Sequence, residues 1–213
     1  MELQIRKPTP KSNIKASKNI IPCENWVHKV IGGSGRFIMT LEILALGAAL
    51  TVIALIFVYT LKTGISPMPT STKVRHAMLE ILPADLNGPI LELGSGWGTL
   101  AVPLAHKYSK STVIGYEISP LPWVYSYIRK LTSNLQNLTF YRRDYLKEDL
   151  SDAALIVVYI HADGMEKLRT KLECELKPGA LVQSNFFQIR GWTPIRELIV
   201  DDVYQTKIYL YRH

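Results

Sequence analysis

The stretch ILELGSGWGTLAVPLA, residues 90–105, decides the fold. It opens as an apolar strand and then places Gly94, Gly96 and Gly98 at every second position, just where the strand should stop. Glycine has no side chain to pack and loses the most backbone entropy on ordering, so a strand interior gains nothing from it. A glycine-rich turn between a strand and a helix instead lets main chain approach a ligand closely.

Outward from this turn the pattern alternates. PILELG, STVIGYEI, LTFYRRD, ALIVVYIH and ALVQSNFF read as strands. GTLAVPLAHKY, LPWVYSYIRKLTSN and DGMEKLRTKLECEL read as helices between them. IRELIVDD and VYQTKIYLYR close the chain as an antiparallel pair. Strands alternating with helices require crossovers, which predicts an α/β fold with a mainly parallel, seven-stranded sheet covered on both faces. Ligands of such sheets bind beyond the carboxyl ends of the strands, so Gly94, Glu117, Asp144 and Tyr159 are expected to converge there.

Ahead of this domain, residues 37–61 form an apolar run, opening on Phe37 and closing on Leu61, with Glu42 as its single acid. From Ile43 it holds nineteen residues without a charge, about the length of a spanning helix at 1.5 Å per residue. Tyr59, Arg36 and Lys62 stand where interfacial anchors would. The chain of 213 residues carries a net charge of +7, and its first 61 residues hold seven Lys or Arg against three Glu, leaving +4 there and +3 in the rest. Basicity ahead of an apolar run points to anionic lipid headgroups before nucleic acid. The domain also lacks a basic stripe with interleaved aromatics, which argues against a nucleic-acid substrate. Cys23 and Cys174 are too far apart for metal spacing or a disulfide framework. No internal repeat is visible.

The expected organisation is a basic mobile arm over 1–36 with local helix near Glu24, a membrane helix over 37–61, a connector and capping helix over 62–88, and the α/β domain over 89–213. In the connector TGISPMPTST, Ser and Thr can cap the next helix, TKVRHAMLEIL, whose stripe is Val74, Met78, Leu79 and Leu82.

The turn itself separates two chemistries. A nicotinamide-binding G-x-G-x-x-G would need glycine at Thr99, and Glu92 stands where such a fold keeps an apolar residue. E-x-G-x-G-x-G after a strand resembles the cofactor loop of class I S-adenosylmethionine-dependent methyltransferases. That resemblance implies a Rossmann-like seven-stranded sheet, main chain of Gly94, Ser95 and Gly96 against the cofactor, and Glu92 near its amino group. Glu117, twenty-five residues on at the end of the second strand, is placed to accept from two ribose hydroxyls. Asp144 would accept from the adenine amino group, with Tyr145 beside the ring. The plain alternatives are a structural turn, a solvated acid at a strand end, and a helix cap or partner of Arg142 or Arg143.

Across residues 65–204 the resemblance narrows. ISPMPTSTKVRHAMLEIL, VIGYEISPLPWVYSYIR, the run from YRRDYL to QSNFF, and GWTP together resemble the membrane-anchored protein-lysine methyltransferases that modify the ATP synthase c-subunit and the adenine nucleotide translocase. Departures are Glu92 where Asp is usual, Trp97 in place of an acid, and Ser119 with Leu121 in place of an Asn-Pro-Trp turn. The family implies methyl transfer from S-adenosyl-L-methionine to a lysine of a membrane protein. Lysine starts near pKa 10.4, so the site must favour the neutral amine, which a partly apolar pocket does. Tyr159 is the candidate to hydrogen-bond that amine and His161 a candidate proton acceptor. Asn185 and Phe186 would wall the site, and Pro69, Thr70 and Ser71 would cover the methionine end. Trp192 and Pro194 match the family's pattern, with core or lid packing as the plain alternative. Other readings are a methyltransferase acting on a lipid or small molecule at the membrane, and a non-catalytic cofactor-binding module. VYIH in place of an NPPY-type tetrapeptide disfavours adenine or glutamine nitrogens as acceptors.

The apolar segment implies membrane localisation, single-pass or monotopic. Lys18, Lys29 and Arg36 before it and Lys62, Lys73 and Arg75 after it leave the charge bias weak. A cytosolic cofactor places the catalytic domain facing the cytosol, or the mitochondrial matrix in a eukaryote.

Overall fold

The computed structural model describes residues 23–63, 70–160 and 162–213. By contacts the chain divides into two compact units, Met1–Val52 and Ile53–His213.

In the first unit begins α1 (Cys23–Thr63), a helix of 41 residues. It takes in the GGSG stretch expected in a mobile arm, so residues 23–36 are helical rather than extended. The physical reason is the spacing of breakers. Pro22 precedes the helix and no proline follows until Pro67, whereas each interior glycine costs only about 1 kcal/mol in a helix that propagates cooperatively. Residues 1–22 and the connector residues 64–69 lie outside the described residues. Within α1, Phe37–Val58 is long and apolar enough to cross a membrane, and none of it is buried in protein. Among the described residues nothing covers this apolar helix, which is the pattern of a segment that meets a membrane or a partner.

The second unit is built on one seven-stranded sheet, β1 (Ile90–Leu93), β2 (Val113–Tyr116), β3 (Leu138–Tyr141), β4 (Leu155–Val158), β5 (Leu181–Asn185), β6 (Arg196–Ile199) and β7 (Lys207–Arg212). Their spatial order is β3-β2-β1-β4-β5-β7-β6. The first five are mutually parallel, β7 runs antiparallel to β5, and β6 antiparallel to β7. β1, β4 and β5 are buried at every position, as strands covered on both faces must be.

Alternate residues feed two cores. Ile90, Leu138, Leu155, Val157 and Ile208 pack with Met78 of α2 (Thr72–Ile81) and Leu104 of α3 (Ala101–Lys107). On the opposite face Leu91, Leu93, Ile156, Val182 and Tyr211 pack with Leu168 and Leu172 of α5 (Ala162–Glu175). Each fully buried large aliphatic contributes roughly 1.5–3 kcal/mol, so these two layers carry most of the stability. The buried stripe of α2 is Val74, Ala77, Met78 and Ile81, with Leu82 following it, while Leu79 is only partly covered. Ser71 caps α2, its Oγ accepting from the Val74 N–H at 3.3 Å. α4 (Pro120–Ser133) starts on a proline already set to helical φ and ends at Asn134 in the left-handed region.

Candidate active site

The glycine turn is fastened to the sheet by its neighbours. The Gly94 and Ser95 N–H groups both donate to the Tyr116 carbonyl of β2 at 2.9 Å, and Gly98 N–H donates to Ser95 O at 2.8 Å. Two of the glycines have different reasons to be there. A Cβ on Gly98 would stand 2.8 Å from the Phe140 ring and 3.0 Å from Ser126, so this residue admits the packing of β3 and α4. Gly96 has φ +51° and no atom within 4 Å of where its Cβ would be. It faces open space, so the left-handed backbone and not a close neighbour is what calls for glycine, and the surface over the turn stays bare.

Glu117 closes over the tip of this turn. Its Oε2 accepts from Gly96 N–H at 2.9 Å and its Oε1 from Ser119 N–H at 2.7 Å. The carboxylate therefore clamps the glycine loop to the start of α4, and each oxygen keeps a further lone pair for a hydroxyl donor. α4 braces the loop again from outside: Arg129 Nη1 donates to Trp97 O at 3.3 Å, and the Trp97 ring meets Tyr125 edge-on at 5.4 Å.

Glu92 sits in β1 beneath the turn, 7% exposed, with Oε2 lacking any partner. Burial pushes its pKa up to about 8, the Ala101 backbone N–H pulls the other way, and the nearby Glu117 charge adds to the rise. Ser95 Oγ is likewise buried without a partner. A cleft of about 390 Å³, counting space open to solvent, lies over these groups, and Thr70, Glu92, Gly96, Trp97, Thr99 and Tyr159 are among its walls. Tyr159, just past β4, is 40% exposed at its rim.

Asp144 caps the single 3-10 turn Tyr145–Lys147, its Oδ1 accepting from Leu146 N–H at 3.0 Å. The Tyr145 hydroxyl is pushed up to about 12 by burial and then by the charges of Asp144 and Glu117. Gly94 shares the cleft with Tyr159, and Glu117 is joined to its wall through Gly96, while the walls of this cleft do not include Glu117, Asp144 or Tyr145 themselves.

Other expected residues fall elsewhere. Ser71 is exposed and engaged as a cap, whereas its neighbour Thr70 lines the cleft. Pro69 and His161 lie outside the described residues. Asn185 is 2% exposed at the end of β5, and Phe186 follows with φ +73°, its N–H donating to Lys207 O at 2.7 Å. Trp192 packs against Tyr211 and donates to Glu173 Oε1 at 3.1 Å, which makes it a packing residue. Arg129 and Gly115 support the loop without any expectation from the sequence. A Cβ on Gly115 would meet the Phe140 ring at 2.6 Å and Ser95 Cβ at 2.9 Å, and a lone glycine inside an apolar strand is the signal that could have found it.

The residues present fit an adenosyl amino-acid ligand. A buried carboxyl oxygen without a donor suits an ammonium group, the bare Gly96 leaves room for a bulky neighbour, and Glu117 offers two acceptors at a strand end. Sheet order, loop and acids together define a class I S-adenosylmethionine-dependent methyltransferase. Comparison with known proteins makes the assignment narrower. Residues 92–196 match the ANTKMT methyltransferase domain. A protein-lysine N-methyltransferase of Saccharolobus islandicus (strain REY15A) is 30% identical over 151 residues, covering 68% of this chain and 91% of that protein. The human ATP synthase C-subunit lysine N-methyltransferase is 28% identical over 182 residues, 84% of this chain and 76% of that one. The mouse adenine nucleotide translocase lysine N-methyltransferase is 29% identical, with 51% and 47% covered. An RNA methyltransferase of Salinibacter ruber, solved with S-adenosyl-L-homocysteine, superposes with a TM-score of 0.62 at 26% identity, covering 68% of this chain and 93% of that one. The chain belongs to the family of S-adenosylmethionine-dependent protein-lysine N-methyltransferases.

Proposed function

We propose that this enzyme methylates a lysine of a membrane protein while held at the bilayer by Phe37–Val58. The observation that carries the proposal is the pairing, in one chain, of this lysine-methyltransferase domain with an apolar helix that nothing among the described residues covers. The human and mouse relatives are named for the ATP synthase c-subunit and the adenine nucleotide translocase, which supports a membrane-protein substrate. Tethering raises the effective concentration of enzyme near such substrates without any new contact. The domain then faces the compartment that supplies the cofactor, the cytosol or a mitochondrial matrix.

S-adenosylmethionine, when bound, supplies an electrophilic methyl group on a sulfonium. The protein's part is placement. The main chain of Gly94, Ser95 and Gly96 would form the cradle, Glu92 would take the amino group, Glu117 the ribose hydroxyls, and Asp144 with Tyr145 the base. Thr70 lines the same cleft as Glu92. Pro69 and His161 keep the roles that the family resemblance implies, whereas Ser71 spends its hydroxyl on the cap of α2 and leaves the cleft to Thr70. Tyr159, at the rim, receives the lysine amine by hydrogen bond. The apolar walls of the cleft, Leu93, Leu100 and Val157, disfavour the charged form of that amine and so supply the nucleophile. Holding two reactants in line accounts for most of the acceleration such a site needs.

Incubation of the full chain with methyl-labelled S-adenosylmethionine and membranes tests this. Label in protein, released as methyl-lysine on hydrolysis, is the expected outcome. Label that extracts wholly with lipid would move the acceptor to a lipid.

A further inference from the structure

Three acceptor oxygens lie buried and unpartnered on a single face of the sheet: Glu92 Oε2, Gln183 Oε1 and Asn185 Oδ1. The strand registers put them in order. Glu92 of β1 pairs with Val157 of β4, which pairs with Gln183 of β5. Tyr159 directly follows Val158 and Asn185 directly follows its partner Ser184, so each is the next residue past the last β4–β5 pair. Neighbouring strands run about 4.8 Å apart, so a continued register sets Asn185 next to Tyr159 behind the cleft that Tyr159 lines. The face is the one covered by α2 and α3, because Asn185 pairs with Ile208 and Gln183 Nε2 donates to Met78 O at 2.7 Å.

A buried acceptor without a donor is costly and rare in native structures, and here one stands on β1 and two on β5, with β4 between them. The two amide oxygens can only accept, so their missing partners are donors, and Glu92 becomes an acceptor of the same kind once it gives up the proton that its burial favours. Glu92 is accounted for by the amino group of the cofactor. Gln183 is fully enclosed and tied to α2, a structural position. Asn185 remains, 2% exposed and next to the rim tyrosine.

We infer that Asn185 Oδ1 is the acceptor that holds the target nitrogen at the point of methyl transfer, on the far side of that nitrogen from Glu92; this rests on the lysine-methyltransferase reading of the same cleft. With Tyr159 it gives the amine two hydrogen-bonding partners, which turns the nitrogen about its own axis and leaves its lone pair aimed toward the cofactor side. A lysine reaches such a covered oxygen because its chain is unbranched and narrows to one nitrogen. Each methyl added removes one N–H from the amine, so Asn185 also weights the enzyme toward the less methylated acceptor.

Sinefungin tests the assignment without any substrate, since it carries a C–NH3+ group where S-adenosylmethionine carries its methylsulfonium. Titration calorimetry on the full chain in detergent compares it with S-adenosylhomocysteine, which has no group there. Wild type is expected to prefer sinefungin by about tenfold or more, the effect of one charge-assisted hydrogen bond. Asn185→Leu is expected to reduce that preference to about threefold or less while S-adenosylhomocysteine affinity stays unchanged, and Asn185→Asp to widen it. Absence of a preference in wild type, or a wild-type ratio in folded Asn185→Leu, overturns the inference. If Asn185→Leu does not fold, Asn185→Asp decides: a wider ratio supports the role and an unchanged one removes it. Failure of wild type to bind either ligand is a different result, for it removes the cofactor reading and this inference with it.

Discussion

Glu92 shows how one buried oxygen connects stability to ligand binding. Its folded pKa of about 8 lies above the ordinary value of 4.5, so between those limits the folded protein holds a proton that the unfolded chain has released. The stability tied to that proton is complete below pH 4.5 and is lost as pH rises through 8. Thermal unfolding of the ligand-free protein at pH 6 and pH 9 is expected to show a fall attributable to this residue, and Glu92→Gln is expected to flatten it. An identical fall in the variant would assign the pH dependence to other groups. The residue types of the site are legible in the primary structure, since a carboxylate two residues before a glycine turn has few uses. Their states are not, because a pKa depends on what excludes water from the side chain, and the chain order is silent about that.

At the scale of elements, α2 illustrates a division between capping and catalysis that two adjacent residues share. Ser71 holds the helix start and Thr70 lines the cleft. Ser71→Ala is expected to cost about 1 kcal/mol, lowering Tm by roughly 2–4 °C, with S-adenosylhomocysteine affinity unchanged within about twofold. A large loss of affinity at constant Tm would instead make Ser71 a ligand contact. Most elements are readable because their periodicities differ: the strands are continuous apolar runs and the helices have a 3.6-residue stripe. The amino-terminal end of α1 is the exception. Gly32 to Gly35 look like a linker by composition, but a helix already nucleated absorbs glycines more readily than prolines, and no proline interrupts residues 23–63.

For the whole molecule, the decisive feature is the exposed apolar surface of Phe37–Val58. A helix whose apolar side chains face outward along its length is expected to fractionate with membranes, to resist washing with alkaline carbonate, and to be released by detergent. Recovery in the carbonate wash would mean that the helix lies on the bilayer or is covered by a partner chain. On the proposed function the apolar helix and the α/β domain solve separate problems, the first concentrating the enzyme at a membrane and the second placing the reacting groups.

The primary structure by itself determined the class of sheet, the glycine turn, the acids at successive strand ends and the apolar segment, all of which are local patterns imposed by backbone sterics and the solvent. Only tertiary structure decided that Glu117 clamps Gly96, that Gly98 makes room for Phe140 whereas Gly96 faces open space in a left-handed turn, and that Asn185 carries an unanswered oxygen one residue past the Val158–Ser184 pair. Those facts depend on residues 21, 42 and 26 positions apart meeting across strands. Hydrogen bonding and close packing are settled between neighbours in space, and neighbours in space are what a linear order of residues does not state.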